Sequence, residues 1–340
     1  MTDSAWQDLI DAAREVLIAL VTIPVNSGEK FYVVYLASFL GLAYLSYRRY
    51  YRHRTRRNFL SFVFPRRIYL HPSAKVDYWV FLINVVTSPL FLVAAGLQAF
   101  VSTAVAAWLI GINDGQPLVT GDWGYVTFAC FILGYTLVAD LSVYVIHRFH
   151  HQVDLFWPIH ALHHSAEVLT PVTLFRKHPV WNVLSSSLQA LFTGLFQGVF
   201  LFVIFGNPGV EILFGLNSIY MLYNFFGANL RHSHIWLSWG DGRIGQAMSH
   251  LFISPAMHQI HHDPKRMHKN YGEVFAIWDW MFGSLYVPRT YEQFDIGLGE
   301  EKNPHRSVWA AYWQPVAAFG QNAWRLVSRG RQPRRTLSGD

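Results

Sequence analysis

Apolar and polar positions alternate along this chain in long blocks, and the blocks set the expected architecture. Five apolar runs stand out: residues 31–47, 78–112, 123–146, 181–205 and 209–228. Crossing the hydrocarbon core of a bilayer takes about 20 residues of helix, and each run reaches or approaches that length. The second run is interrupted at Pro89 and reads either as one kinked helix or as a hairpin. Gly-Asn-Pro-Gly at 206–209 is a strong turn signal and separates the last two runs. Ahead of them, the spacing of Trp6, Leu9, Ile10 and Ala13 predicts an amphipathic helix lying at a membrane interface. No basic segment precedes an apolar stretch there, so the N-terminus does not read as a cleaved signal peptide.

Composition supports the same class. Of 340 residues, 52% are hydrophobic and only 14% charged, against about 25% charged in soluble domains. The formal charge of +6 would suggest nucleic acid in a soluble protein. Its distribution argues otherwise. Eight arginines (Arg48, Arg49, Arg52, Arg54, Arg56, Arg57, Arg66 and Arg67) follow the first apolar run directly, as expected of a cytoplasmic loop beside anionic headgroups. The single cysteine, Cys130, excludes a disulfide framework and a cysteine-based metal site.

With the arginine loop in the cytoplasm and 78–112 crossing once, the run 123–146 returns and delivers His147 to the cytoplasmic side. The pair 181–228 goes out and back and delivers His232 to the same side. The expected fold is an all-α, multi-pass integral membrane helical bundle with a cytoplasmic cap. Its parts are 1–77 (interfacial helix, first span and basic loop), 78–290 (catalytic membrane domain) and 291–340 (basic cytoplasmic tail, frayed after Gln321).

The cap is where the chemistry lies. Of 17 histidines, 14 fall between His147 and His268. They come in clusters: "HRFHH" at 147–151, "HALHHS" at 160–165 and "HQIHH" at 258–262. Residues three and four apart share a helix face, so each cluster is expected to present one stripe of imidazoles. A structural zinc site needs four ligands, so eight or more convergent histidines imply two metals of the kind imidazole suits.

These motifs, with "RKHP" at 176–179, "HSH" at 232–234 and "NYGEVFAIWDWMFGS" at 270–284, resemble the fatty acid hydroxylase/sterol desaturase superfamily. The resemblance runs from Asp140 to Pro288. It implies a non-haem di-iron centre on the cytoplasmic side of a transmembrane bundle, held by His147, His151, His160, His163, His164, His232, His258, His261 and His262, with His178 as a tenth ligand. It further implies a membrane-bound oxygenase that uses O2 to hydroxylate a lipid or sterol-like molecule, with desaturation as the alternative outcome. Two irons per chain are expected, for which zinc can substitute in purified protein. No flavin, haem or iron–sulfur motif is present, so electrons would come from a ferredoxin or a cytochrome b5-type donor.

Ligating imidazoles usually donate their second N–H to a carboxylate or carbonyl. Asp140, an acid inside an apolar run and two helical turns before His147, is one candidate for that role. Asp279 and Glu167 are others, and His234 stands beside the ligand set. His150 is expected at the interface or behind the ligands; His250 and His268 behind the ligands or at the surface; His53 and His71 in the basic region; His305 in the tail. Trp181, Tyr220, Tyr223, Phe225 and Phe226 are candidate substrate walls. A histidine-rich metal transporter would also collect these residues, but would place ligands along a pathway through the membrane midplane. A metal-stabilised structural protein would need only one closed zinc site.

Overall fold

The computed structural model describes residues 3–53, 57–121, 124–205, 218–299 and 303–330. Named in chain order, the helices that position the site are α1 (Asp3–Thr22), α2 (Val33–Ser46), α3 (Pro72–Thr87), α4 (Leu92–Ile112), α5 (Tyr125–Gln152), α6 (Trp157–His164), α7 (Pro179–Val203), α8 (Pro255–His261) and α9 (Val308–Gly330). The described chain is mostly helical, and Val119–Thr120 pairs in parallel with Ile204–Phe205 as a two-residue ladder.

Among the described residues, three helical stretches are long and apolar enough to cross a membrane: Pro72–Ile112, Tyr125–Gln152 and Pro179–Val203. Their outer faces leave Phe100, Trp108, Val126, Leu133 and Leu195 exposed, a surface that water would not tolerate over such an area. The break in the first is a 3₁₀ turn at Ser88–Phe91 containing Pro89. It is a kink and not the tip of a hairpin. Asn84 meets Asn182, Gln98 meets Gln197, and the Ser102 carbonyl lies against Gly198. Partners advance together, so α3–α4 runs parallel to α7 along one continuous path. A Cβ on Gly194 or Gly198 would lie 2.9 or 2.7 Å from a backbone oxygen of α4, which explains small residues at this four-residue spacing. Helix α5 runs the other way: Phe131 packs on Phe200, and His150 packs on Trp181. The end of α5 and the starts of α3 and α7 therefore lie together at one end of the bundle.

Two expected segments differ. The run at 31–47 forms α2, whose 14 residues extend about 21 Å before a π turn, Tyr47–Tyr51, introduces Arg48 and Arg49. It packs on the 224–231 segment, with the Ser38 hydroxyl donating to the Phe225 carbonyl. The tail is not frayed up to Gly330: α9 runs through Pro315 and lies over α6. Asn322 donates to the Asp154 carbonyl at 2.7 Å, and Tyr312 joins Val76, Val80, Leu162 and Ala311 in a core cluster. Arg54, Arg56, residues 209–217 and the arginines at 331, 334 and 335 lie outside the described residues.

The α6 segment is pinned by Arg176. Its side chain and that of Asp77 are both fully buried, 2.7 Å apart. Its remaining donors reach the carbonyls of Leu162 (2.9 Å), Ser73 (3.2 Å) and His305 (3.0 Å) and the Ser165 hydroxyl. One guanidinium thus ties the start of α3, the end of α6 and the segment leading into α9. Removing one partner of a buried ion pair costs about 3–5 kcal/mol. Arg176→Met should therefore lower the unfolding midpoint sharply, and Asp77→Leu in the same chain should restore part of the loss by removing the stranded charge. A double variant less stable than Arg176→Met would refute this reading.

Candidate metal centre

Nine histidines converge at that end of the bundle. His147 and His151 come from the last turns of α5, His160, His163 and His164 from α6, His258 and His261 from α8, His262 from its C-cap, and His232 from the turn after Asn229–Arg231. The short helices are locally well specified. Pro158 opens α6, while Ser254 caps α8 by accepting from the Met257 amide and Pro255 opens it.

The rings form two groups whose ligand atoms lie within 4.8 Å of one another: His147, His151, His160, His164 and His261 in the first, His163, His232, His258 and His262 in the second. Each His-x-x-His-His motif is divided between them, and the division is reciprocal. The first motif gives its i, i+4 pair, His160 and His164, to the first group and sends His163 to the second. The second motif gives His258 and His262 to the second group and sends His261 to the first. The imidazoles of one helix do not form a single stripe. They serve as two rows, one for each group, and the His164 and His262 rings stack 4.7 Å apart where the groups meet.

The ring nitrogens show what the site needs. His147 Nδ1 donates to the Tyr271 carbonyl at 2.8 Å and His261 Nδ1 to the Lys269 carbonyl at 2.7 Å. With those protons on Nδ1, both Nε2 atoms carry lone pairs, and they lie 3.0 Å apart. Nε2 atoms also approach to 3.1 Å between His163 and His232 and to 3.0 Å between His232 and His258. The second nitrogens of His160, His163, His164, His232 and His258, and both nitrogens of His151 and His262, are buried without a partner. Burial, reinforced by neighbouring imidazoles, holds His160, His163, His164, His232, His258 and His261 well below the ordinary histidine range. Burial brings His262 to about 3. These rings are neutral, and a neutral imidazole is the metal-binding form. Converging lone pairs in a buried site fit two cations of the kind imidazole holds, iron, zinc, copper or nickel.

The carboxylates act one step back. Asp140 touches no imidazole; it accepts from the amides of Val274 (2.9 Å) and Phe275 (3.1 Å) and from Trp278 Nε1 (2.9 Å). Asp279 accepts from the amides of Tyr271 (2.9 Å) and Gly272 (2.7 Å) and from the Ser284 hydroxyl. Together they fix the loop whose Tyr271 carbonyl orients His147. Glu167 turns elsewhere, to Asn303 and Arg306.

Several expected residues stand apart. His178 caps α7: its Nδ1 accepts from the Val180 amide and its Nε2 donates to the Tyr312 carbonyl, so neither nitrogen is free for a metal. His234 donates from Nε2 to the Phe62 carbonyl, away from both groups. His150 is fully buried, with Nδ1 on the Ile146 carbonyl, behind the first group. His305 is buried under the cap and not in a free tail. His268 meets the Tyr271 hydroxyl, and His250 bonds its own helix at Gln246. His71 caps α3, and His53 is exposed.

A cavity of about 260 Å³ adjoins both groups, lined by His147, His160, His163, His232 and His258. Trp181 and Tyr223 form part of its wall, while Phe225 and Phe226 face outward. Lys30, Lys177, Arg231 and Glu273 also line it. Sequence reasoning passed over these four, although Lys177, Arg231 and Glu273 sit inside or beside the quoted motifs.

The family model described as "Fatty acid hydroxylase" matches residues 132–284. The human protein named lathosterol oxidase is 25% identical over 236 residues, 68% of this chain and 69% of its own length. A Delta(7)-sterol 5(6)-desaturase of Aspergillus fumigatus is 27% identical over 244 residues, 67% of this chain and 69% of its own. An alkylglycerol monooxygenase of Caenorhabditis elegans is 26% identical over 176 residues, 51% of this chain and 30% of its own. No solved structure matches the chain.

If Asp140 holds the loop, Asp140→Ala strands three donors, each worth about 1–3 kcal/mol when buried unpaired. Amide exchange at Tyr271 to Phe275 should then accelerate at least about tenfold, since about 1.4 kcal/mol of lost protection is a factor of ten. Unchanged exchange in that loop would remove the positioning role.

Proposed function

We propose, from the premise that the chain belongs to the fatty acid hydroxylase/sterol desaturase superfamily, that it is a multi-pass membrane oxygenase hydroxylating a C–H bond of a lipid or sterol-like molecule. The observation that carries this reading is the pair of reciprocal imidazole groups opening onto one cavity. A closed structural site would need four ligands and no adjoining space. A transport pathway would string its ligands along the spans; here they gather at one end of them.

His147, His151, His160, His164 and His261 would hold one iron, and His163, His232, His258 and His262 the other. Irons so held would supply the reduction of O2 and the oxidation of an unactivated C–H bond. The chain contributes position and exclusion of water. Tyr271 and Lys269 carbonyls keep His147 and His261 in the tautomer that aims Nε2 inward. Asp140 and Asp279 hold the loop carrying Tyr271, and α9 covers α6 from outside. Electrons would arrive from a ferredoxin or cytochrome b5-type protein docking on a basic cytoplasmic face that includes Arg48, Arg49 and Arg52. A second outcome, desaturation, is supported by the similarity to the Delta(7)-sterol 5(6)-desaturase of Aspergillus fumigatus. Product mass separates the two: gain of one oxygen atom or loss of two hydrogens.

Elemental analysis of anaerobically purified protein should give two metals per chain, iron or substituting zinc. His163→Ala and His261→Ala remove one ligand from each group and should each abolish lipid oxidation while leaving the protein in the membrane. The double variant should be no worse than either alone, and the exposed His53→Ala should be near normal. Near-normal turnover in His261→Ala with full metal content would falsify the assignment. For sidedness, Arg52→Cys, Asp154→Cys and Lys265→Cys in a Cys130→Ser background should all label from the cytoplasm. Labelling of positions 154 and 265 from opposite sides would exclude this topology.

A further inference from the structure

The cavity beside the histidines carries an unusual charge for a lipid site. Lys30, Lys177 and Arg231 line it against a single carboxylate, Glu273. Among the described residues none of the three cations comes within ion-pair distance of that carboxylate. Glu273 accepts instead from the Tyr223 hydroxyl at 3.0 Å. Lys30 Nζ donates to Asn224 at 2.9 Å and rests over the rings of Tyr220 and Tyr223; Lys177 rests over Trp181. Arg231 is only 6% exposed, and while its Nη2 donates to the Ile253 carbonyl, its Nη1 is buried without a partner. Trp181 Nε1 and Ser185 Oγ, on the same wall, are likewise unpartnered.

Isolated cations are expensive to bury, and unpaired donors add to the cost. Burial lowers Lys30 to about 8 and Lys177 below its ordinary range. Burial alone would raise Glu273, yet the surrounding cations hold it below the usual carboxylate range. The carboxylate is thus charged, and the excess remains positive. A second cavity, about 390 Å³, shares Lys30, Lys177 and Glu273 with the first and continues past them to Ile23, Phe81 and Val85. The charges sit between the histidines and an outer space walled partly by apolar side chains.

We propose that the substrate carries an anionic headgroup, a carboxylate or a phosphate, held in the inner cavity by Lys30, Lys177 and Arg231, with the rest of the molecule leaving through the outer cavity. Oxidation then falls on a carbon a few bonds from the headgroup, because the same cavity holds both the cations and five of the nine imidazoles. This rests on the oxygenase reading above and adds the substrate class to it.

The test is isothermal titration of the full-length protein in phosphatidylcholine nanodiscs with octanoate, octyl phosphate and octanol. At least one anion should bind about tenfold or more tighter than octanol, the worth of one charge-assisted contact, and the tighter anion identifies carboxylate or phosphate. Lys177→Gln and Arg231→Gln should each weaken the anion about tenfold and leave octanol unchanged. Should Arg231→Gln fail to fold, Lys177→Gln alone decides. Octanol binding as tightly as both anions, or anion affinity unmoved in Lys177→Gln, overturns the proposal. Metal content of the same preparations separates the two readings. Two metals with no anion preference removes the headgroup and leaves the oxygenase; absence of metal from protein with all nine histidines counts against the oxygenase itself.

Discussion

Two unprotonated ring nitrogens facing each other at 3.0 Å, both on buried side chains, repel. That opposition between His147 and His261 is the constraint around which the cap is built. Protonation would relieve it, but burial opposes an imidazolium there. What remains is a cation supplied from outside, or a scaffold stiff enough to hold the rings against one another. The described structure has such a scaffold. Backbone carbonyls fix the tautomers of both rings, carboxylates fix the backbone, and Arg176 anchors the helix bearing His160, His163 and His164.

The reciprocal division of the two motifs follows from this arrangement. A short helix can offer i and i+4 to one point and i+3 to a neighbouring point only if both points lie within reach of the side chains on one of its faces. Two such helices, α6 and α8 with its C-cap, meet at the end of α5, and each supplies two imidazoles to one group and one to the other. Neither group is complete without both helices.

Much of this was legible in the sequence. The apolar runs at 123–146 and 181–205 correspond to helices long and apolar enough to cross a membrane, because length and composition decide that question locally. The nine histidines were legible because ring chemistry and helical spacing are local too. The division of each motif was not, since spacing says which side chains share a face but not how many targets stand before it. Nor could spacing tell His178 from its neighbours: a histidine ahead of a proline at a helix start caps that helix, and its partner, the Tyr312 carbonyl, lies far along the chain. Asp140 was noticed as an acid in an apolar run, but its partners come from a loop more than 130 residues later. Lys30 and Arg231 gave no signal, because a single cation at the edge of an apolar run usually marks a membrane boundary.

The contact between Asp140 and the 274–278 loop also bears on how the chain is made. Helix α5, long and apolar enough to cross a membrane, carries a carboxylate within its length and three histidines at its end, and every partner that satisfies Asp140 lies in sequence not yet synthesised when the helix is complete. The same delay holds for His147, whose carbonyl acceptor lies 124 residues downstream. During that interval the helices are made but the cap is not closed, and their polar groups must be satisfied by water or by other protein. Asp140 and His147 are therefore satisfied only once the C-terminal half has been made. A chain interrupted before Val274 would keep an unsatisfied acid inside a helix.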